Sequence, residues 1–172
     1  GTWLSPDIAP DGQTIAFDLL GDIYMVDSNG GDARPILTGM AFESQPVFSP
    51  DGKRIVYVSD RSGAENIWTA NVDGSDPRQV TLYDNNTVFT SPAWSSDGKT
   101  IFVSRYHADR VAFELWQFDA ATGAGELLVP IKSTPDQPRD QWRSTLGAVP
   151  SPDGQQLYFA RNIGGDHGDV PE

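Results

Sequence analysis

A short phrase recurs four times in this chain, and its spacing limits what the chain can fold into. The copies are Ala9-Pro10-Asp11-Gly12, Ser49-Pro50-Asp51-Gly52, Ser95-Ser96-Asp97-Gly98 and Ser151-Pro152-Asp153-Gly154. Each runs within a few residues into a β-type apolar stretch: Ile15-Ala16-Phe17, Ile55-Val56-Tyr57-Val58, Ile101-Phe102-Val103 and Leu157-Tyr158-Phe159. Successive aspartates stand 40, 46 and 56 residues apart. Steps of roughly 40–45 residues suit one four-stranded blade of a β-propeller. The phrase itself is a turn. Proline presets φ for the first central position of a type I turn, aspartate suits the second, and glycine takes the left-handed position that closes a three-residue hairpin. Serine at position 96 is tolerated in place of proline. Gly12, Gly52, Gly98 and Gly154 all recur because a positive φ excludes most side chains.

Aligned on these turns, the copies give a consistent meander. The second copy places strands at Ser44–Phe48, Arg54–Ser59, Asn66–Ala70 and Arg78–Leu82, separated by Gly/Asp/Ser turns. The third strand repeats an aromatic residue in its second place, at Tyr24, Trp68 and Trp116. Such a ring is expected between neighbouring blades, where its burial is worth about 1.5–3 kcal/mol. Helical periodicity is nowhere sustained. The sequence therefore predicts an all-β fold, a portion of a β-propeller with blades at 1–40, 41–84 and 85–130 and a partial blade at 147–163. Closed propellers have 4–8 blades. About three and a half leave open sheet edges, so the expectation is a segment of a longer chain, with self-association through those edges as the alternative outcome.

Composition narrows the function. With 24 acidic against 12 basic residues the formal charge is −12, which disfavours nucleic acid and anionic lipid. No apolar run approaches the roughly 18 residues of a membrane helix. Cysteine is absent, and the two histidines, His107 and His167, lie far apart with no His-x-His or His-Glu-x-x-His pattern. Asp166-His167-Gly168-Asp169 reads as a polar tail, and the Asp/Gly turns at 27–32 and 73–76 lack the ligand alternation of a calcium loop. No Gly-x-Ser-x-Gly elbow occurs. No catalytic residue, metal ligand or cofactor site is expected in this chain.

What remains is surface. Residues just before each inner strand should face the mouth of a propeller channel, and alignment places Trp3, Glu43, Phe89 and Thr145 there. They read as contacts for a peptide or a neighbouring domain, against the plainer alternative that they pack the start of each blade. Trp142 and Arg143, in the long loop 132–146, form a second contact region.

Phe48-Ser49-Pro50-Asp51-Gly52-Lys53 and Trp94-Ser95-Ser96-Asp97-Gly98-Lys99 resemble the repeats of the TolB-like propeller superfamily. The opening Gly1-Thr2-Trp3-Leu4-Ser5-Pro6-Asp7, running into Ile15–Tyr24, and the stretch Gly39–Pro46 are most similar to N-terminal propellers of large bacterial amidohydrolases. This resemblance implies a non-catalytic module of a secreted or periplasmic multidomain hydrolase, partnered by another domain or protein. The alternatives are a free-standing TolB-type interaction protein and the gating propeller of a prolyl-oligopeptidase-like serine peptidase.

Overall fold

The computed structural model describes residues 4–107, 112–131 and 143–161, and every regular element among them is a strand. The first sheet runs β1 (Asp7–Ile8), β2 (Thr14–Leu19), β3 (Asp22–Asp27) and β4 (Arg34–Leu37). The second contains β5 (Glu43–Phe48), β6 (Arg54–Ser59), β7 (Asn66–Asn71) and β8 (Arg78–Gln79). The third contains β9 (Phe89–Trp94), β10 (Thr100–His107), β11 (Ala112–Asp119) and β12 (Gly125–Val129), and β13 (Thr145–Pro150) pairs with β14 (Leu157–Arg161) in the last. Strand order follows chain order in each sheet and every pairing is antiparallel. These are propeller blades, not closed into a ring among the described residues.

Blades pack face to face. Ile55, Tyr57 and Ala70 turn toward the first blade and share a core with Ala16, Ile23 and Met25. The alternate residues of the same strands, Val56, Val58 and Ile67, join Ile101, Val103 and Phe118 of the third. Trp68 and Trp116 pack against these two cores as the repeat predicts. Tyr24 lies instead on the face of the first blade turned away from the second, stacked on Phe17 with centroids 5.6 Å apart.

The four repeat turns are built alike. Gly12, Gly52, Gly98 and Gly154 have φ of +73°, +68°, +70° and +69°, and each donates its N–H to the residue three before it, at 2.8–2.9 Å. In the last three copies the serine hydroxyl donates to the turn aspartate and accepts the N–H that opens the next strand. The turns also touch one another. A Cβ on Gly52 would sit 3.5 Å from Pro10, one on Gly98 3.7 Å from Pro50, and one on Gly154 2.5 Å from Ser96 Oγ.

One strand is shorter than the sequence predicts. β8 ends at Gln79 because Thr81 turns its side chain into the ladder: Thr81 Oγ1 accepts the Ile67 N–H at 2.9 Å and donates to Asn66 Oδ1 at 2.9 Å.

The turn between the third and fourth strands docks on the preceding blade, at its outer strand or the residue just past it. A Cβ on Gly74 would lie 2.0 Å from the carbonyl oxygen of Ile36, and one on Gly123 2.1 Å from that of Val80. Both also have positive φ. Gly30, at φ +97°, has nothing within 4 Å of that position. Gly74→Ala should therefore cost about 3 kcal/mol or more, through strain plus overpacking against backbone. Gly30→Ala should cost about 1–2 kcal/mol from conformation alone. Urea unfolding of the two variants side by side checks the difference.

Candidate functional site

The first strands of successive sheets, β1, β5, β9 and β13, lie beside one another, and three of them share one irregularity. Gln45, Ser91 and Gly147 hold the third place of β5, β9 and β13 with φ of +56°, +56° and +66°, and the ladder slips beside each. A bulge of this kind leaves an amide unpaired. Here the orphan N–H is taken across the blade boundary. Gln45 N–H donates to Asp18 Oδ2 at 2.9 Å, Ser91 N–H to Gln45 Oε1 at 2.7 Å, and Gly147 N–H to Ser104 Oγ at 3.2 Å. Asp18, buried, also accepts the Ser5 N–H at 2.7 Å. The result is a staircase of side-chain oxygens, one per boundary. Between the strands opens a cavity of about 490 Å³, lined by Ile8, Val47, Pro92, Trp94 and Val149 among others.

Of the residues expected at the channel mouth, Glu43, Phe89 and Thr145 are buried. Glu43 is 1% exposed, ion-paired with Arg61, whose guanidinium lies 5.2 Å from the Trp68 ring centroid. Burial lifts the Glu43 carboxyl above its ordinary range, and Arg61 opposes that shift. Phe89, equally buried, sits edge-on to Tyr83 and Phe118. Its N–H donates to Glu65, a carboxyl that burial also raises. Thr145 is fully buried and accepts from Arg161 Nη2 at 3.2 Å. Their surroundings match the plainer alternative, packing at the start of each blade. Trp3, Trp142 and His167 lie outside the described residues, as does the side chain of His107. Arg143 is half-buried.

Sequence reasoning missed a set of exposed apolar residues in the connections. Leu20 is 81% exposed, Met40 fully so, Phe42 60% and Leu82 85%. The signal was present. Leu20-Gly21 occupies a two-residue hairpin turn with φ of +56° and +91°, where Asn-Gly is the favoured pair. Among the described residues no three or more His, Asp or Glu side chains gather to hold a metal. No helix there is long and apolar enough to cross a membrane.

The sequence matches the Tricorn protease N-terminal beta propeller domain over residues 3–141. The chain belongs to that family. It is a TolB-like propeller of the Tricorn type. An uncharacterized protein of Agrobacterium fabrum is 35% identical over 105 residues, 59% of this chain and 35% of that protein. Tricorn protease homolog 1 of Streptomyces coelicolor is 27% identical over 97 residues, 56% of this chain and 9% of that one. The Tol-Pal system protein TolB of Anaeromyxobacter is 30% identical over 146 residues, 83% of this chain and 30% of that one. The chain thus spans about a third or less of these relatives. The putative TolB structure from Agrobacterium tumefaciens superposes with a TM-score of 0.70 at 22% identity, covering 91% of this chain and 53% of that one.

The buried Glu43–Arg61 pair of this Tricorn-type propeller has a measurable pH signature. An acid whose folded-state pKa is raised stabilises fully below its ordinary value, 4.5 for glutamate, and that stabilisation is lost as pH rises through the folded value. Glu43→Gln should therefore lose less stability than the parent as pH rises from 5 to 8. Arg61→Met strands the carboxylate and should cost about 3–5 kcal/mol at pH 8 and less at pH 5. Urea titrations at both pH values read both effects.

Proposed function

We propose that this chain is the non-catalytic propeller module of a larger secreted or periplasmic hydrolase, in which it docks another domain or protein and shapes access to an active site held elsewhere. The observation that carries the reading is the family match combined with its proportions: the matching stretch is 9% of Tricorn protease homolog 1, so a propeller of this type occurs as a small part of a large peptidase.

Side-chain chemistry supports it. General acid–base work at neutral pH needs a group poised near that pH and within reach of a reacting atom. The repeat carboxylates Asp51, Asp97 and Asp153 are instead held below their ordinary range, first by the hydroxyls of Ser49, Ser95 and Ser151. They are ionised acceptors that fasten turns. Glu43 and Thr145 are likewise engaged inside the blades.

The resemblance of the opening residues and of Gly39–Pro46 to amidohydrolase propellers supports a metal-dependent parent enzyme. The likeness to TolB favours the second reading, a free-standing periplasmic interaction protein. The Tricorn match favours a third, the gate of a peptidase.

Two measurements test the proposal. The purified chain, assayed with added Zn²⁺ or Ca²⁺ against amide, lactone and peptide substrates, should show no turnover above buffer. Turnover abolished by His107→Ala or Asp51→Asn would overturn the non-catalytic reading. The coding sequence beyond position 172 should encode a hydrolase domain, with a His-x-His strand for an amidohydrolase or a Gly-x-Ser-x-Gly elbow for a serine peptidase. Further blades and then a stop would favour the TolB-type reading.

A further inference from the structure

Strand direction alternates in every blade, so the β2–β3 and β6–β7 turns and the β4–β5 and β8–β9 connections emerge at one end, opposite the four repeat turns. At that end the chain displays apolar side chains that its own fold does not use. Leu20, Met40, Phe42, Leu82 and Val88 are 81%, 103%, 60%, 85% and 41% exposed.

Phe42 brings three of them to the boundary of the first two blades, with Leu20 next to the Gly21 it covers and Met40 two residues before it. The Phe42 ring leans over Gly21, 3.0 Å from where a Cβ would be, Glu43 N–H donates to Gly21 O at 2.9 Å, and Phe42 N–H donates to Asp60 Oδ1 at 2.7 Å. Beside Met40 lies an open cavity of about 630 Å³, lined by Thr38, Ala41, Asp60, Arg61 and Gly63.

Leu20 is the residue the fold does not explain. Its left-handed φ of +56° costs a branched side chain that asparagine or glycine would adopt more readily, and its exposure means no packing offsets that cost. Strain retained at an exposed position is a mark of function.

Charge points to the occupant. Asp22, Asp60 and Asp84 stand at this end. Arg61, the basic residue of the β6–β7 turn, is taken up by buried Glu43, and the whole chain carries −12. We infer that this face docks a polypeptide segment that sets apolar side chains beside lysines or arginines, with Leu20, Met40 and Phe42 as the apolar contacts and Asp22, Asp60 and Asp84 as the charged rim. The inference rests on the docking role above and specifies its surface and the chemistry of its partner.

The test uses the whole chain and three short labelled peptides: leucine/lysine, leucine/glutamate and serine/lysine. By fluorescence anisotropy the leucine/lysine peptide should bind at least tenfold more tightly than either control, and added salt should weaken it. Leu20→Asn should reduce that binding about fivefold or more while leaving the unfolding midpoint unchanged or higher, because asparagine suits the turn. Met40→Gln should weaken binding without a loss of stability.

Equal binding of the leucine/lysine peptide to the parent and both variants would overturn the inference. So would no binding, equal binding of either control peptide, or a lower unfolding midpoint in Leu20→Asn, which would make Leu20 a packing residue. Dimerisation in sedimentation that both variants abolish would make a second copy the occupant and overturn it too. Turnover by the chain would sink the non-catalytic reading and leave these outcomes standing, so the two failures are distinguishable.

Discussion

Face-to-face burial of one sheet against the next is the interaction everything else here depends on. A lone four-stranded sheet of this size has two faces and no core of its own. In the second blade both faces are covered: Ile55 and Tyr57 are sealed against the first blade, Val56 and Val58 against the third. That is why β6 reads as the unbroken apolar run Ile-Val-Tyr-Val instead of alternating with polar residues. β14, at the far end of the described arc, leaves Tyr158 and Phe159 58% and 41% exposed. Stability in such an array is a sum over neighbouring pairs, and the interior blade has the most neighbours.

Directional contacts set how each blade sits on the last. Proline or serine of one repeat turn touches the glycine of the next, Gly74 and Gly123 fit under backbone carbonyls of the preceding blade, and Asp18, Gln45 and Ser104 capture bulge amides across three boundaries. The bulge needs this capture, because a buried N–H without a partner costs about as much as a lost hydrogen bond. The chemistry of the capture varies from carboxylate to amide to hydroxyl, and the acceptor sits on the second strand of its blade at Asp18 and Ser104 but on the first at Gln45.

This division of labour separates side chains that the blades consume from those they leave exposed. Side chains at the starts of the inner strands, Glu43, Phe89 and Thr145, are consumed by packing and pairing. The connections just outside them carry the apolar residues that packing leaves over. A propeller that binds through its connections keeps the blades rigid while the loops vary.

Much of the fold was legible from the sequence, because turn chemistry and strand composition are local. Four Asp-Gly turns at blade-sized steps determined the fold class, the positive φ of Gly12, Gly52, Gly98 and Gly154, and the meander order of each sheet, all of which a few neighbouring residues decide. The end of β8 was not legible, since it turns on the Thr81 hydroxyl entering the ladder of another strand. Nor were the cross-blade partners of the bulges. Asp18 and Gln45 are 27 residues apart and Gln45 and Ser91 46, and no local pattern signals that an oxygen on one blade will meet an amide on the next. Alignment placed Glu43, Phe89 and Thr145 just before the inner strands; they are the first residues of β5, β9 and β13, and only the packed blades decided that they are buried. Leu20 stands between the two cases: its place in a turn was local and readable, but that its neighbour Gly21 lies under the Phe42 ring follows from the stacking of two sheets. The sequence by itself determined what each blade is, because turns and strands are written in adjacent residues. Tertiary structure alone decided which side chains are buried between blades and which stay exposed, because that depends on contacts between residues far apart in the chain.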